Sequence, residues 1–201
     1  MTTQNKAYPV HLRGELTIPP GRWVWLFKWL LIVPHAIVLC FLSIASFALT
    51  VIAFFAILFT GKYPRGMFDF NVGVMRWGWR VGFYSYSALG TDKYPPFSLD
   101  PDPNYPADLE VEYPEKLTNW KVLVKWFLAI PHLIIVGIFQ GGRGGGLISL
   151  LSIINGIILL FTGKMNDDIF KLVIGFNRWT TRVYSYVFLM RDEYPPFRLD
   201  D

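Results

Sequence analysis

Two long stretches almost free of charge constrain this chain more than any other feature. Val24 to Gly61 holds only Lys28 and His35 as groups that are charged or titrate near neutrality, and Val122 to Gly163 holds only Lys125, His132 and Arg143. A chain of 201 residues has too little interior to bury two such stretches against its own surface. Hydrocarbon is the expected solvent for both, in keeping with 53 % apolar against 17 % charged residues. The first twenty residues are polar and carry no short apolar segment ending in a cleavage site, so the first stretch reads as an uncleaved anchor. A single cysteine, Cys40, excludes an intrachain disulfide or a cysteine-rich metal site.

The chain repeats itself. Tyr8-Pro9, Trp23, Lys28-Trp29 and Pro34-His35 return as Tyr105-Pro106, Trp120, Lys125-Trp126 and Pro131-His132 at one constant offset. After a five-residue insertion, Phe59-Thr60-Gly61-Lys62, Gly73, Arg76-Trp77 and Arg80-Val81 return as Phe161-Thr162-Gly163-Lys164, Gly175, Arg178-Trp179 and Arg182-Val183. Tyr94-Pro95-Pro96-Phe97 closes the series as Tyr194-Pro195-Pro196-Phe197. Residues 1–100 and 101–201 are thus two copies of one unit, joined through the proline-rich segment from Leu99 to Ala107.

Val24 to Thr60 drawn as one straight helix would measure about 55 Å, against a bilayer core of about 30 Å. That leaves a helical hairpin, or an interfacial helix ending near Pro34 followed by one span. The run Gly141-Gly142-Arg143-Gly144-Gly145-Gly146 is costly at membrane depth and suits a turn, which favours the hairpin. Carried to the first copy, the turn falls near Ser43 to Ser46. The expected helices are 22–42 and 45–61, then 118–139 and 147–162. Of 19 lysines and arginines only Arg143 lies at a hairpin tip, so the positive-inside rule puts both termini and the linker on the cytoplasmic side of a multi-pass cell-membrane protein. Trp23, Trp25, Trp29, Trp120 and Trp126 would form an aromatic belt there.

A third segment follows each hairpin, at 65–86 and 167–186. Asp69, Arg76 and Arg80 share a narrow arc of it, as do Lys171, Arg178 and Arg182, which suits an amphipathic helix with its cations on lipid phosphates. The rival is a third span with that stripe buried, which would make the repeats inverted. Alternating runs at Val10 to Thr17, at Leu109 to Tyr113 and around the YPPF boxes are candidates for short cytoplasmic strands. The fold class expected is therefore a mainly α membrane protein, a tandem hairpin repeat with small extended segments.

Four groups are candidates for chemistry. His35 and His132 lie at membrane depth, where ionisable groups are functional hypotheses by default; each can equally bond a backbone carbonyl freed by its proline. Arg76 and Arg80, with Arg178 and Arg182, can bracket a phosphate or carboxylate, or can simply anchor a helix by snorkelling. Lys28 and Lys125 read as interfacial snorkellers, and Asp69 is the only carboxylate near them in sequence. The YPPF boxes read as rigid corners packing aromatics beneath the hairpin. No Walker run, nucleophile elbow, metalloprotease motif or paired carboxylates mark an enzyme. No metal or cofactor is implied, and a net charge of +4 spread beside apolar spans points to lipid headgroups rather than nucleic acid.

The sequence KWLLIVPH, then FTGKYPRGMFDF, RWGWRV and YPPFSL in the first copy, closely resembles a prokaryotic membrane family known as domain of unknown function 4389. The second copy departs from it at Lys164-Met165-Asn166-Asp167-Asp168 and at YPPFRL. The resemblance implies a multi-span membrane protein and brings no established activity or catalytic residues. The expected function is a non-enzymatic membrane module, an accessory or structural subunit held on anionic lipid, with membrane lipids, other subunits or its own copies as partners. A small transporter or oligomeric channel with His35 and His132 on its pathway is the alternative, and a lipid- or quinone-binding protein with a tryptophan-lined groove is a third.

Overall fold

The computed structural model describes residues 8–17, 19–141 and 145–200. It is mostly helical, with one two-stranded sheet. Strand β1 (Val10–Gly14) leads to a short 3-10 turn (Val24–Phe27), helix α1 (Lys28–Leu31), the long helix α2 (Val33–Thr60) and helix α3 (Arg65–Tyr84). The second copy gives strand β2 (Ala107–Val111) and helices α4 (Lys121–Gln140), α5 (Leu147–Thr162) and α6 (Asp167–Val187). The YPPF boxes form no strand.

The turn expected near Ser43 to Ser46 does not exist. Helix α2 runs unbroken through 28 residues, about 42 Å at the α-helical rise. Pro34 sits in its first turn, where a missing N–H costs nothing, so the reading that breaks the apolar stretch near Pro34 is the correct one for the first copy. Nothing between Val33 and Thr60 can stop a helix; Gly61 does so, at φ 69°, with its amide bonded to the Ile57 carbonyl. Gly163 ends α5 in the same way.

The break in the second copy is real but is not a hairpin. Gly141 and Gly146 abut so closely that a Cβ on Gly146 would meet the carbonyl oxygen of Phe139. Helices α4 and α5 then run in one direction along a single antiparallel partner, α6. His132 of α4 meets Trp179 in the second half of α6, Phe139 further along α4 stacks on Phe176, and Asn155 in the middle of α5 meets Asn166 at the start of α6. Together α4 and α5 reproduce α2. The tip residues 142–144, including Arg143, lie outside the described residues.

In both copies the antiparallel partner of the long helix is the third segment. Helix α3 packs on α2, with Asn71 bonded to Thr50 and Ser46 and Trp77 bonded to His35. Its other side carries the sheet. Strand β2, from the second copy, lies on α3, and β1, from the first, lies on α6, so each copy clasps the other. The antiparallel register shows how. Leu12 faces Leu109, its own counterpart, while Val10 faces Val111 and Gly14 faces Ala107. Only a twofold axis through the Leu12–Leu109 pair produces that matching.

That axis crosses the long helices, and they run oppositely. The Leu117 amide and the Asn119 side chain, just ahead of α4, bond the carbonyls of Gly61 and Leu58 at the end of α2. Trp126 stacks on Phe54 at 5.8 Å. At the far end Trp25 lies against Gly156, and a Cβ on Gly163 would strike the Arg22 guanidinium. The expectation of two copies pointing the same way is therefore overturned. Trp23 and Trp29 stand at one end of the long-helix pair and Trp120 and Trp126 at the other.

Helix α2 buries only a stripe, His35, Ser46, Thr50, Ala53 and Ile57, and exposes apolar residues around the rest of its surface. Two helices, Val33–Thr60 and Lys121–Gln140, are long and apolar enough to cross a membrane.

Candidate functional site

The residues shared by the two copies form one device, built twice. After α3 and after α6 the chain returns along its helix pair as an extended strap, 91–100 and 191–200, and the repeated lysine, histidine and arginine positions fasten it. Lys28 Nζ donates to the Thr91 carbonyl at 2.7 Å and pairs with Asp92 at 2.9 Å; Lys125 does the same with Arg191 and Asp192, both at 2.8 Å. Both ammonium groups are fully buried, so neither snorkels. The backbone amides of Gly21 and Thr118 donate to these same two carboxylates. Burial works to raise the Asp192 pKa, but bonds from Lys125 and the Thr118 amide hold it below the ordinary carboxylate value.

Further along each strap, Tyr94 and Tyr194 donate to the carbonyls of Leu31 and Leu128, both at 3.0 Å. Phe97 stacks on His35 at 3.9 Å and Phe197 on His132 at 4.0 Å. At the edge of each ring the indoles of Trp77 and Trp179 donate to the imidazole Nδ1, both at 3.0 Å. An accepting Nδ1 leaves the proton on Nε2, and both imidazoles are buried in aromatic boxes. The partner is thus an indole rather than a carbonyl freed by the adjacent proline, and the YPPF corners do pack beneath the long helices.

The arginines close the far end of the strap. Arg76 donates to Leu99 and Arg80 to Ser98 and Asp100; Arg178 donates to Leu199 and Arg182 to Arg198 and Asp200. Asp108, on the strand contributed by the other copy, pairs with Arg76 at 3.1 Å and Arg80 at 3.2 Å. Arg76 and Arg80, which the helical wheel placed on lipid phosphates, face inwards, whereas Asp69 of the same stripe stays exposed beside Arg65; a guanidinium with several donors is the side chain able to satisfy so many strap carbonyls at once. Asp92 and Asp192 were missed in the sequence, although both stand two residues ahead of a YPPF box and so were open to discovery from the repeat alone.

The histidines, lysines and arginines are at work within the fold; among the clefts of the described residues, one of about 500 Å³ lies between α3 and α6, on the twofold axis and lined by Leu109. Among the described residues no cluster of His, Cys, Asp and Glu is placed to hold a metal ion. Residues 22–98 and 119–198, one strap-fastened unit each, match the family described as Domain of unknown function (DUF4389). The chain belongs to this family. No curated protein and no solved structure matches it. The matched ranges begin just before Lys28 and Lys125 and end just after Phe97 and Phe197, so they take in the lysine and histidine fastenings of each strap, whereas strands β1 and β2 and the strap residues beyond 98 and 198 lie outside the match.

Proposed function

We propose that this chain is a non-catalytic integral membrane module, a structural or accessory subunit seated in one leaflet with its long helices along the membrane plane. The observation that carries this reading is the division of its surface. Large exposed apolar residues such as Phe41, Ile44, Phe47, Phe127, Ile134 and Phe161 lie on α2, α4 and α5, whereas the ribbon on the opposite side exposes His11 and Glu112 at 49 % and 61 % of their side chains. The ribbon crosses at the mid-height of the long helices. Were those helices perpendicular to the bilayer, Glu110 and Glu112 would sit near its midplane, where insertion scales put the cost of a carboxylate such as Asp at about 2.5–3.5 kcal/mol. With the twofold axis along the membrane normal, the same charges face water and the apolar helices face acyl chains. Exposed Lys62, Lys93, Lys116, Lys164 and Lys171 then take the anionic headgroups that the buried arginines do not meet.

The multi-pass reading survives only if the polar faces of several copies meet around water, which is the oligomeric channel in another form. Single cysteines at Lys62 and Lys164, in a Cys40→Ser background, separate the two. These positions are repeat counterparts at opposite ends of the long helices. In sealed vesicles an impermeant maleimide is expected to label both from the same side. Labelling from opposite sides overturns the in-plane seat and favours the channel.

A further inference from the structure

The cleft between α3 and α6 differs from the framework around it in one telling respect. Along these two helices the residues that fasten the strap are the same in both copies: Gly73 and Gly175, Arg76 and Arg178, Trp77 and Trp179, Arg80 and Arg182. The residues that line the cleft differ at every matched position. Met75 faces Asn177, Gly78 faces Thr180, Trp79 faces Thr181, and Gly82 faces Tyr184. One wall is thus apolar and partly empty, and the other carries neutral polar groups. A Cβ on Gly78 would meet nothing within 4 Å, so the apolar wall has room in front of it.

The polar wall holds an unmet demand. Thr180 is 3 % exposed and its hydroxyl has no hydrogen-bond partner, although burying a hydroxyl without one costs about 1–3 kcal/mol. Asn177 spends its amide N–H groups on the Ser87 and Val173 carbonyls, leaving its oxygen as the group it can offer. No residue lining the cleft is charged, so a carboxylate or phosphate would be desolvated there without compensation.

We propose that this cleft binds a neutral, largely apolar molecule with a carbonyl or hydroxyl oxygen, its flat or aliphatic body against Gly78 and Trp79 and its oxygen on Thr180. A quinone ring and an uncharged acylglycerol share that chemistry. Leu39 and Ser43 of α2 and Gln140 of α4 also line the cleft, so it borders the apolar long helices, the surface that a lipid-dissolved molecule reaches. The site lies between the copies on their axis, so it stands whether or not the chain lies in one leaflet, and the vesicle labelling above tests that separately.

The test uses the full chain in detergent and its tryptophan fluorescence. Decylubiquinone, a quencher, is expected to quench saturably, and Trp79→Phe to remove most of the saturable part. Gly78→Phe, which fills the cleft, is expected to abolish saturation, and Thr180→Val, which removes the hydroxyl at nearly constant shape, to weaken binding about tenfold. Dioctanoylglycerol that displaces the quinone assigns an acylglycerol-type ligand; quenching indifferent to it assigns a quinone-type ring. Quenching that never saturates, or that is the same in wild type and Gly78→Phe at unchanged circular dichroism, overturns the proposal. Should Gly78→Phe not fold, an unaltered Kd in both Thr180→Val and Trp79→Phe overturns it equally.

Discussion

The two halves of this molecule share a framework and differ in what they set upon it. Lys28 and Lys125, His35 and His132, Trp77 and Trp179 occupy matching places to within about 0.1 Å in their principal bonds. Position 11 and its counterpart 108 show the opposite behaviour. Asp108 is buried against Arg76 and Arg80, whereas His11 stands half exposed beside Glu112. Duplication has preserved what each unit needs in order to fold and released the positions where the units meet each other.

The sharpest way to break that comparison is to alter the unlike pair. Asp108→Ala strands two buried guanidinium groups and is expected to cost about 3–5 kcal/mol, with His11→Ala within about 0.5 kcal/mol of wild type. Denaturant unfolding in micelles measures both. Equal losses would mean that the ribbon, not the buried charge, governs the joint between halves.

Next in size come the lysines. Lys125→Met and Lys28→Met each strand a carboxylate, and about 2–3 kcal/mol is expected, discounted because both acids keep some solvent. The loss should be larger in the second copy, where Asp192 is 18 % exposed against 32 % for Asp92. Acid should probe the same bond. Asp192 has a folded pKa below the ordinary 3.8, so its stabilisation is complete above about pH 4 and is lost as pH falls through the lower folded value. An unfolding midpoint followed from pH 6 to 2.5 should fall steeply in wild type and more gently in Lys125→Met.

The histidine boxes sharpen the likeness rather than the difference. Trp77→Phe and Trp179→Phe each remove one indole donor and keep most of the packing, so each is expected to cost about 1 kcal/mol, and the same in either copy. A much larger loss in one box alone, or a flux across liposomes that either variant abolishes, would return the imidazoles to a functional role.

Much of this architecture could be read from the residues, and the failures share one cause. The repeat, the apolar stretches, short strands near 10–17 and 109–113 and the approximate limits of α4 and α5 follow from local pattern, which the chain carries openly; the partner of each strand does not. Nor does direction. The turn at Ser43 to Ser46 was inferred by carrying a feature of the inserted copy into one that lacks it, and a glycine-free apolar run has no reason to turn. Lys28, expected to snorkel, and Arg76 and Arg80, expected on lipid phosphates, are each paired with a carboxylate that the fold brings from outside its own helix. Charge pairing across 28 to 64 residues leaves no periodic trace.

The smallest effect is expected where the two copies differ most visibly. Counted without the five inserted residues, the buried positions Val136, Phe139, Ile148, Ser152, Asn155 and Leu159 fall three or four apart, one continuous helical stripe facing α6. With the insert counted, Phe139 and Ile148 are nine apart and would face opposite sides of a helix. The stripe therefore belongs to a single helix interrupted afterwards. Deleting 141–145 should fuse α4 and α5 in phase, as α2 already is, and leave stability within about 0.5 kcal/mol, since removing a short loop changes closure entropy little. Helical content by circular dichroism should rise slightly. A collapse of the fold would mean that the gap relieves a strain between α4–α5 and α6 that α2 and α3 do not have, and the two halves would then differ in their framework as well as in their surfaces.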